Sequence, residues 1–435
     1  MKEAIKKIPG IKQLYKKFND LNENVEKLKD ENFIIARENI NLRLKLKKLT
    51  NEKINVVFVC HRPTVWASLK SVYDELNLNE NFNVSVVVIP MKVTLPGLGY
   101  NHEKYEWEGA CEYWSDYNCI KGYDDETKKW FDIKILKPDY VFYQQPYNVM
   151  RCDSYKSEVV SKYAKICYVS YFATMNINEE LVECTPVDFL SDLSFYFTQN
   201  DIDHNFMKDR IDDAGKGHAS IILTGFPRYD NMEQYKDCDD DIWSGKKNGA
   251  FRVIWTPRWT TNEGNCHFFE YKDKVLKYCD DNKDIDFIFR PHPQSFIEWN
   301  TTGELPKEKA DAYKAEYDAR DNMKIDYNKE YISTFASSDC IITDQSSVIA
   351  EYFLTGKPII YCDSDYPIDG FTKEITGGFY HVNSWDEVTE VIEKLKRGED
   401  PLYEVRQKLI RDAFYIGKES AGKKIANILY EDAIQ

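Results

Sequence analysis

Two short segments carry residue types suited to holding a phosphorylated ligand. The first is Phe287-Ile288-Phe289-Arg290-Pro291-His292-Pro293, an apolar strand-like run that stops in a rigid turn. Proline on either side of His292 fixes the backbone and removes amide donors, so the turn can aim an imidazole and a guanidinium at one point. Arg290 has the planar fork to pair with a diphosphate, and His292 can give it a hydrogen bond or a proton. A structural histidine held in a turn is the plain alternative. The second segment is Ser337-Ser338-Asp339-Cys340-Ile341-Ile342-Thr343-Asp344-Gln345-Ser346-Ser347. It reads as a short strand ending at Asp344, then a helix starting around Ser346 with Val348, Ile349, Tyr352 and Phe353 inward. Ser346 and Ser347 would then sit among unpaired amides at the positive end of a helix, which makes a phosphate cradle. Ordinary N-capping explains Asp and Ser there equally well. The two segments lie about fifty residues apart; in successive βα units of one sheet they would converge on one crevice.

The elements around them alternate. Lys53 to Cys60 is an apolar strand followed by the turn His61-Arg62-Pro63, a helix from about Val65 to Leu76, and a strand from Val84 to Ile89. That is a βαβ opening, typical of a parallel sheet that binds ligands at its strand C-termini. Further strands are expected at Asp139 to Tyr143 (running into Gln144-Gln145-Pro146-Tyr147), Lys165 to Tyr171 and Phe195 to Thr198. Leu95 to Tyr123, rich in aromatics and glycine, reads as a loop over that edge. A second unit starts near Ile221-Ile222-Leu223-Thr224-Gly225-Phe226-Pro227-Arg228, with strands at Arg252 to Trp255, Asp286 to Arg290, Cys340 to Thr343 and Ile359 to Cys362. Asp237 to Gly249 is charged and turn-rich, a surface loop; Val388 to Lys396 and Leu402 to Ile416 read as helices. The expected fold is α/β, two Rossmann-like domains facing a cleft, at 53–220 and 221–435, the latter including terminal helices.

Residues 1–52 form a third part. Lys2, Lys6, Lys7, Lys12, Lys16 and Lys17 stand against Glu3 alone up to Lys17, with Ile5, Ile8, Ile11, Leu14 and Tyr15 on an apolar side. Such a basic amphipathic stretch suits an anionic membrane surface, or is simply a solvated helix end. Leu14, Phe18, Leu21, Val25, Leu28, Asn32, Ile35, Asn39, Leu42, Leu46 and Leu49 recur in steps of four and three, a heptad seam. Asn32 and Asn39 share one core position with Phe18, Val25 and Leu46, which favours a parallel two-stranded register. A parallel homodimer is therefore expected; a single helix packed on its own domain is the alternative.

Composition excludes several classes. The 435 residues are 43% hydrophobic and 30% charged with both signs mixed, so globular cores rather than disorder are expected. A net charge of −15 argues against a general nucleic-acid binder. The 11 cysteines show no CxxC pairing and read as reduced thiols. No apolar run is long enough to span a bilayer and no secretory h-region opens the chain. The expected location is cytoplasmic, with docking on the inner face of the cell membrane.

Four segments together resemble the CDP-glycerol glycerophosphotransferases, bacterial teichoic-acid and capsule enzymes of the type B glycosyltransferase architecture. These are Thr224-Gly225-Phe226-Pro227-Arg228-Tyr229-Asp230, Trp255-Thr256-Pro257-Arg258-Trp259, Arg290-Pro291-His292-Pro293, and Thr343-Asp344-Gln345-Ser346-Ser347 with Lys357-Pro358-Ile359-Ile360-Tyr361. Their order and spacing match over roughly residues 220 to 365, the donor half. The resemblance implies that His292, Ser346 and Ser347 contact the donor's phosphates; Arg290, Asp344, Arg258 and Arg228, in the same segments, are placed on the donor with them. The first half departs from the family. Tyr168-Val169-Ser170-Tyr171-Phe172 stands where a His-Gly pair usually supplies the acceptor's base, and Arg258 precedes Trp259 where Trp-Arg is usual. His61, at the end of the first strand, is the positional substitute for that base, or else caps a helix or packs; Tyr168 and Tyr171 line the acceptor site or are core aromatics.

The implied reaction is attack by a hydroxyl of a glycan or lipid-linked acceptor on the phosphorus next to the polyol of a CDP-activated donor, expelling CMP. No cofactor or metal is called for, since there is no P-loop and no metal-binding carboxylate cluster. The nearest rival is a nucleotide-sugar glycosyltransferase of the same architecture. A dimeric membrane-associated scaffold with a decayed donor site is the reading from another class.

Overall fold

The computed structural model describes residues 9–95, 99–107, 109–117, 119–174, 184–213, 218–230, 241–243, 249–262, 264, 266–328, 331–368, 370–414 and 419–435. Two parallel sheets dominate it. The first has seven strands: β1 (Ile54–Cys60), β2 (Phe82–Val88), β3 (Ile120–Lys121), β4 (Tyr140–Tyr143), β5 (Lys165–Val169), β6 (Leu193–Thr198) and β7 (Ser220–Leu223). They lie in the order β7-β6-β5-β4-β1-β2-β3, every neighbouring pair parallel. The second has six: β8 (Phe251–Thr256), β9 (Ile285–Phe289), β10 (Met323–Ile325), β11 (Cys340–Thr343), β12 (Ile359–Cys362) and β13 (Phe379–Val382), in the order β10-β9-β8-β11-β12-β13. Each sheet therefore runs outward in both directions from its own first strand. That leaves a switch point between β1 and β4 in one sheet and between β8 and β11 in the other, where such folds bind ligands.

The sequence explains this. β4, β5, β6, β9, β11 and β12 are buried at every residue, as expected of strands covered by helices on both faces, and they read as continuous apolar runs for that reason. In β1, Val56, Phe58 and Cys60 join one core with Trp66 and Leu69 of the following helix α2 (Ala67–Leu78, with Trp66 capping it), while Val57 and Val59 face a second core with Tyr143 and Tyr168. Tyr168 is thus a core aromatic.

Several expectations are corrected. The run at Ile221 does not open the second unit: β7 pairs with β6 and completes the first sheet. A short parallel edge strand carries no mark of which sheet it joins, and β7 is only partly buried. Leu95 to Tyr123 is not a plain loop; it contains the strand Gly99–Glu106, which pairs antiparallel with Met91–Leu95, and the edge strand β3. The last helix of the chain, α5 (Ala421–Ile434), packs on α2 and on the N-terminal helix rather than on the second sheet. Asp432 on it takes Lys165 at 2.6 Å and Tyr140 at 2.5 Å, both from the first sheet. A side-chain carbon at Gly422 would lie 2.3 Å from Ser71 Oγ, so only glycine permits that approach.

The N-terminal helix α1 (Pro9–Thr50) is continuous over 42 residues, about 60 Å. From about residue 30 it lies against the first sheet by one face: Ala36, Ile40 and Leu44 are buried, and Arg43 Nε and Lys47 Nζ bind the buried Asp139 carboxylate at 2.9 and 2.5 Å. Residues 1–8 of the basic start lie outside the described residues, as does most of Asp237 to Gly249.

Candidate functional site

The switch point of the second sheet is built on two threonines. β8 ends at Thr256 and β11 at Thr343, paired in register, with their hydroxyls bonded at 2.9 Å. The chain then turns at Asp344, which is buried. Its carboxylate accepts the amides of Arg258 at 2.8 Å and His267 at 3.1 Å on one oxygen, and His267 Nδ1 lies 2.6 Å from the other. One carboxylate thus clamps the loop after β8 to the end of β11.

Beside it stands the Arg-Pro-His-Pro turn. The Arg290 amide donates to Trp255 O at 2.9 Å, which keeps the turn against the end of β8. His292 is exposed and stacks on Trp259, with ring centroids 5.6 Å apart at 24°. Its Nδ1 accepts the Gln294 amide at 3.2 Å, so the neutral ring carries its proton on Nε2. Partial burial, and then the charge of Arg258, lower its pKa, so at neutral pH His292 is a neutral hydrogen-bond donor. Ser347 is exposed directly before the helix α4 (Val348–Phe353), and the half-buried Ser346 weakly accepts the Val348 amide at 3.4 Å.

Two of the expected donor residues are already engaged. Arg228, in the helical turn Pro227–Asp230, pairs with Glu351 of α4 at 2.7 Å and donates to the Tyr331 hydroxyl at 2.8 Å. Arg290 lies over the Tyr331 ring at 4.6 Å, is paired with Asp326, and donates to Asn328 O at 2.8 Å. This network ties the Gly-Phe-Pro-Arg segment, the Arg-Pro-His-Pro turn and α4 into one support. The guanidinium of Arg290 is therefore not held open as a fork for a diphosphate, because Asp326 and Asn328 occupy its ends. Asp344, likewise, spends its oxygens on N–H donors of the protein.

In the first sheet, His61 does reach the switch point between β1 and β4, but inside it. Its ring is buried, with Nε2 2.9 Å from Gln145 Oε1, and its amide donates to Gln144 Oε1 at 2.7 Å. Burial lowers its pKa to about 3; the Gln145 contact opposes this, and Arg151 and Arg62 add to it. A histidine so weakly basic is ill suited to take the acceptor's proton, contrary to the expectation from its position. Tyr171 and Tyr147 bond through their hydroxyls at 2.9 Å near the same edge.

Sequence reading missed His267. It precedes the helix α3 (Phe268–Asp281) in capping position, and its sole local sign was a polar residue before the apolar pair Phe268-Phe269. His267, Asp344 and Cys362 bring nitrogen, oxygen and sulfur within 4.8 Å of one another. Both Asp344 oxygens already accept N–H groups, one of them from the His267 ring, and burial pushes the Cys362 thiol well up, so His267 and Asp344 are engaged with each other and Cys362 is held as a neutral thiol. A cavity of about 410 Å³ opens elsewhere, between the end of α1, the start of β1 and α5, and holds none of these residues.

Comparison with known proteins bears on this geometry. The pattern of the family described as CDP-Glycerol:Poly(glycerophosphate) glycerophosphotransferase matches residues 188–416, more than half of the chain. The minor teichoic acid biosynthesis protein GgaB of Bacillus subtilis (strain 168) is 25% identical over 275 residues, which is 55% of this chain but 29% of that protein. The chain thus spans under a third of the length of that relative. Among solved structures, S. aureus MnaA with UDP superposes with a TM-score of 0.55 at 13% identity, covering 88% of this chain and 98% of that one. The Neisseria meningitidis UDP-GlcNAc 2-epimerase gives 0.53 at 13% (87% and 100%), and the wall teichoic acid polymerase TagF 0.50 at 13% (97% and 98%). At such identities these likenesses speak for the fold, two Rossmann-like units of the type B glycosyltransferase kind. With the family's pattern running over more than half of its length, the chain belongs to the CDP-glycerol:poly(glycerophosphate) glycerophosphotransferase family.

Proposed function

We propose that the chain transfers a polyol-phosphate unit, such as glycerol phosphate, from a CDP-activated donor to a hydroxyl of a teichoic-acid-like or other surface-glycan acceptor. The observation that carries this is that the ends of β8, β9 and β11, with the Arg-Pro-His-Pro turn and the Ser346-Ser347 start of α4, meet at one switch point in a member of this family, while Arg228 of the Gly-Phe-Pro-Arg segment pairs with Glu351 of α4. His292 Nε2–H, Ser346 and Ser347 bind the donor's phosphates, with Arg258 supplying positive charge beside His292. Arg228, Arg290 and Asp344 position them. Transfer forms a bond from the acceptor oxygen to the phosphorus next to the polyol and breaks the bond from that phosphorus to CMP. Orientation and hydrogen bonds to the departing phosphate supply the rate enhancement.

The test follows the phosphorus. With donor labelled at the phosphate next to glycerol, the label is expected in the acceptor product with CMP released one for one. Label remaining on the nucleotide would overturn the reading and favour transfer of the sugar type.

The same proposal includes a second copy of the chain and a membrane surface. The whole apolar seam of α1 is exposed, Leu14, Phe18, Leu21, Val25, Leu28, Ile35, Leu42, Leu46 and Leu49 among it, with Asn32 and Asn39 in line. The helix packs on its own domain by the opposite face. The single-helix alternative therefore accounts for Ala36, Ile40 and Leu44 and leaves the seam unused, which supports a parallel coiled coil whose paired asparagines fix the register. No described helix is long and apolar enough to cross a membrane; the exposed Lys16 and Lys17 suit docking on an anionic surface.

A further inference from the structure

His267 has no place in the motifs, yet the fold brings it to the centre of the donor site. It stands at the end of the loop after β8, and the carboxylate of Asp344, 77 residues away, holds both its amide and its ring. Ser346 follows Asp344 by two residues, at most about 7 Å of chain, so ring and phosphate-holding serines share one anchor. The bond from Asp344 Oδ1 to Nδ1 fixes the ring, and Tyr271 packs against it at 5.2 Å and 30°. The side chain is still 14% exposed, and Nε2 has no partner among the described residues.

We propose that His267, oriented by Asp344, is an anion-binding residue of the donor site, donating from Nε2 to a phosphate oxygen of the bound donor. This rests on the reading of the site as one for a nucleoside-diphosphate donor. Two histidines then share the task in different states. His292, near Arg258, is neutral. At His267 burial alone would lower the pKa, but the hydrogen bond and charge of Asp344 outweigh it, with Glu270 and Asp363 adding to the rise. The acidic groups that act on it are Asp344, Glu270 and Asp363, which favour the imidazolium; the Cys362 thiol beside it is kept neutral by burial. A histidine whose cationic form is favoured this way suits binding an anion better than accepting a proton. The metal alternative uses the same atoms but needs Asp344 to surrender its N–H donors.

The experiment is titration calorimetry of CDP-glycerol with the full chain at pH 6.5 and 8.5, a range over which a diphosphate diester does not titrate. Wild-type affinity is expected to fall as pH rises through the raised pKa of His267. His267→Gln should bind about tenfold or more weakly at pH 6.5, as for loss of a charged hydrogen bond, and lose the pH dependence. His267→Lys should keep its affinity at pH 8.5, which a merely structural histidine would not do. Melting midpoints of both variants near wild type identify the change as local. Wild-type affinity and pH dependence in His267→Gln would overturn the inference. So would loss of wild-type affinity to a chelator with recovery on adding zinc, which would assign the trio to a metal. No binding of CDP-glycerol by the wild-type chain at either pH would remove the transferase reading and this inference with it.

Discussion

Replacing Leu21 and Leu28 together by aspartate should split the proposed dimer while leaving each subunit folded. Both lie on the part of α1 that projects from the domain, 60% and 56% exposed in the single chain. Fully burying a leucine is worth about 1.5–3 kcal/mol, so closing a coiled coil over what remains exposed gains about 1–2 kcal/mol for each. Two leucines in each of two chains make about 4–8 kcal/mol, before any cost of facing aspartates, and at about 1.4 kcal/mol per tenfold the dissociation constant should rise by roughly three to six powers of ten. Neither side chain touches the sheets, so the melting of the α/β body should hardly move. Sedimentation equilibrium at micromolar concentration reads the outcome: twice the 51.1 kDa chain mass for wild type, the chain mass for the variant. A monomeric wild type, or a double variant that dimerises as tightly as wild type, would refute the seam.

Two further outcomes follow from the buried charges. Glu351→Ala leaves the partly buried Arg228 without its carboxylate and should cost about 2–4 kcal/mol in urea denaturation, whereas Arg228→Leu with Glu351→Leu should recover much of that; a single variant within about 1 kcal/mol of wild type would show that the network braces nothing. His61 binds its proton far less readily folded than unfolded, so the unfolded chain takes up more protons between its ordinary pKa and about 3. Stability from this group is present above the ordinary histidine pKa and lost as pH falls through that window, roughly 1.4 kcal/mol per unit. His61→Asn should flatten the acid limb of the stability curve, and an unchanged limb would show that the ring is protonated in place.

Much of this was legible in the chain. Buried parallel strands read as continuous apolar runs, and the turns after them carry the phosphate-binding residue types, so the second sheet and its switch point stand out. The heptad seam is equally visible, because steps of four and three need no tertiary context. What was hidden depends on partners far apart in sequence. Nothing near Arg290 or Arg228 announces that Asp326 and Glu351 will claim them. His267 is unremarkable until Asp344 closes on it, and His61 differs from a catalytic histidine only in its burial. The place of β7 in the first sheet was hidden because a four-residue run with three apolar side chains encodes a strand but not its neighbour.

The central claim is that the β8/β11 switch point holds the phosphates of an activated polyol donor. It is tested most directly by CMP release from CDP-glycerol, with an acceptor present, by His292→Ala and Ser347→Ala beside wild type. Each variant should lose about 100-fold or more in turnover, the scale for removing one donor to a developing phosphate charge, with folding intact. Near-wild-type turnover in both would contradict the account.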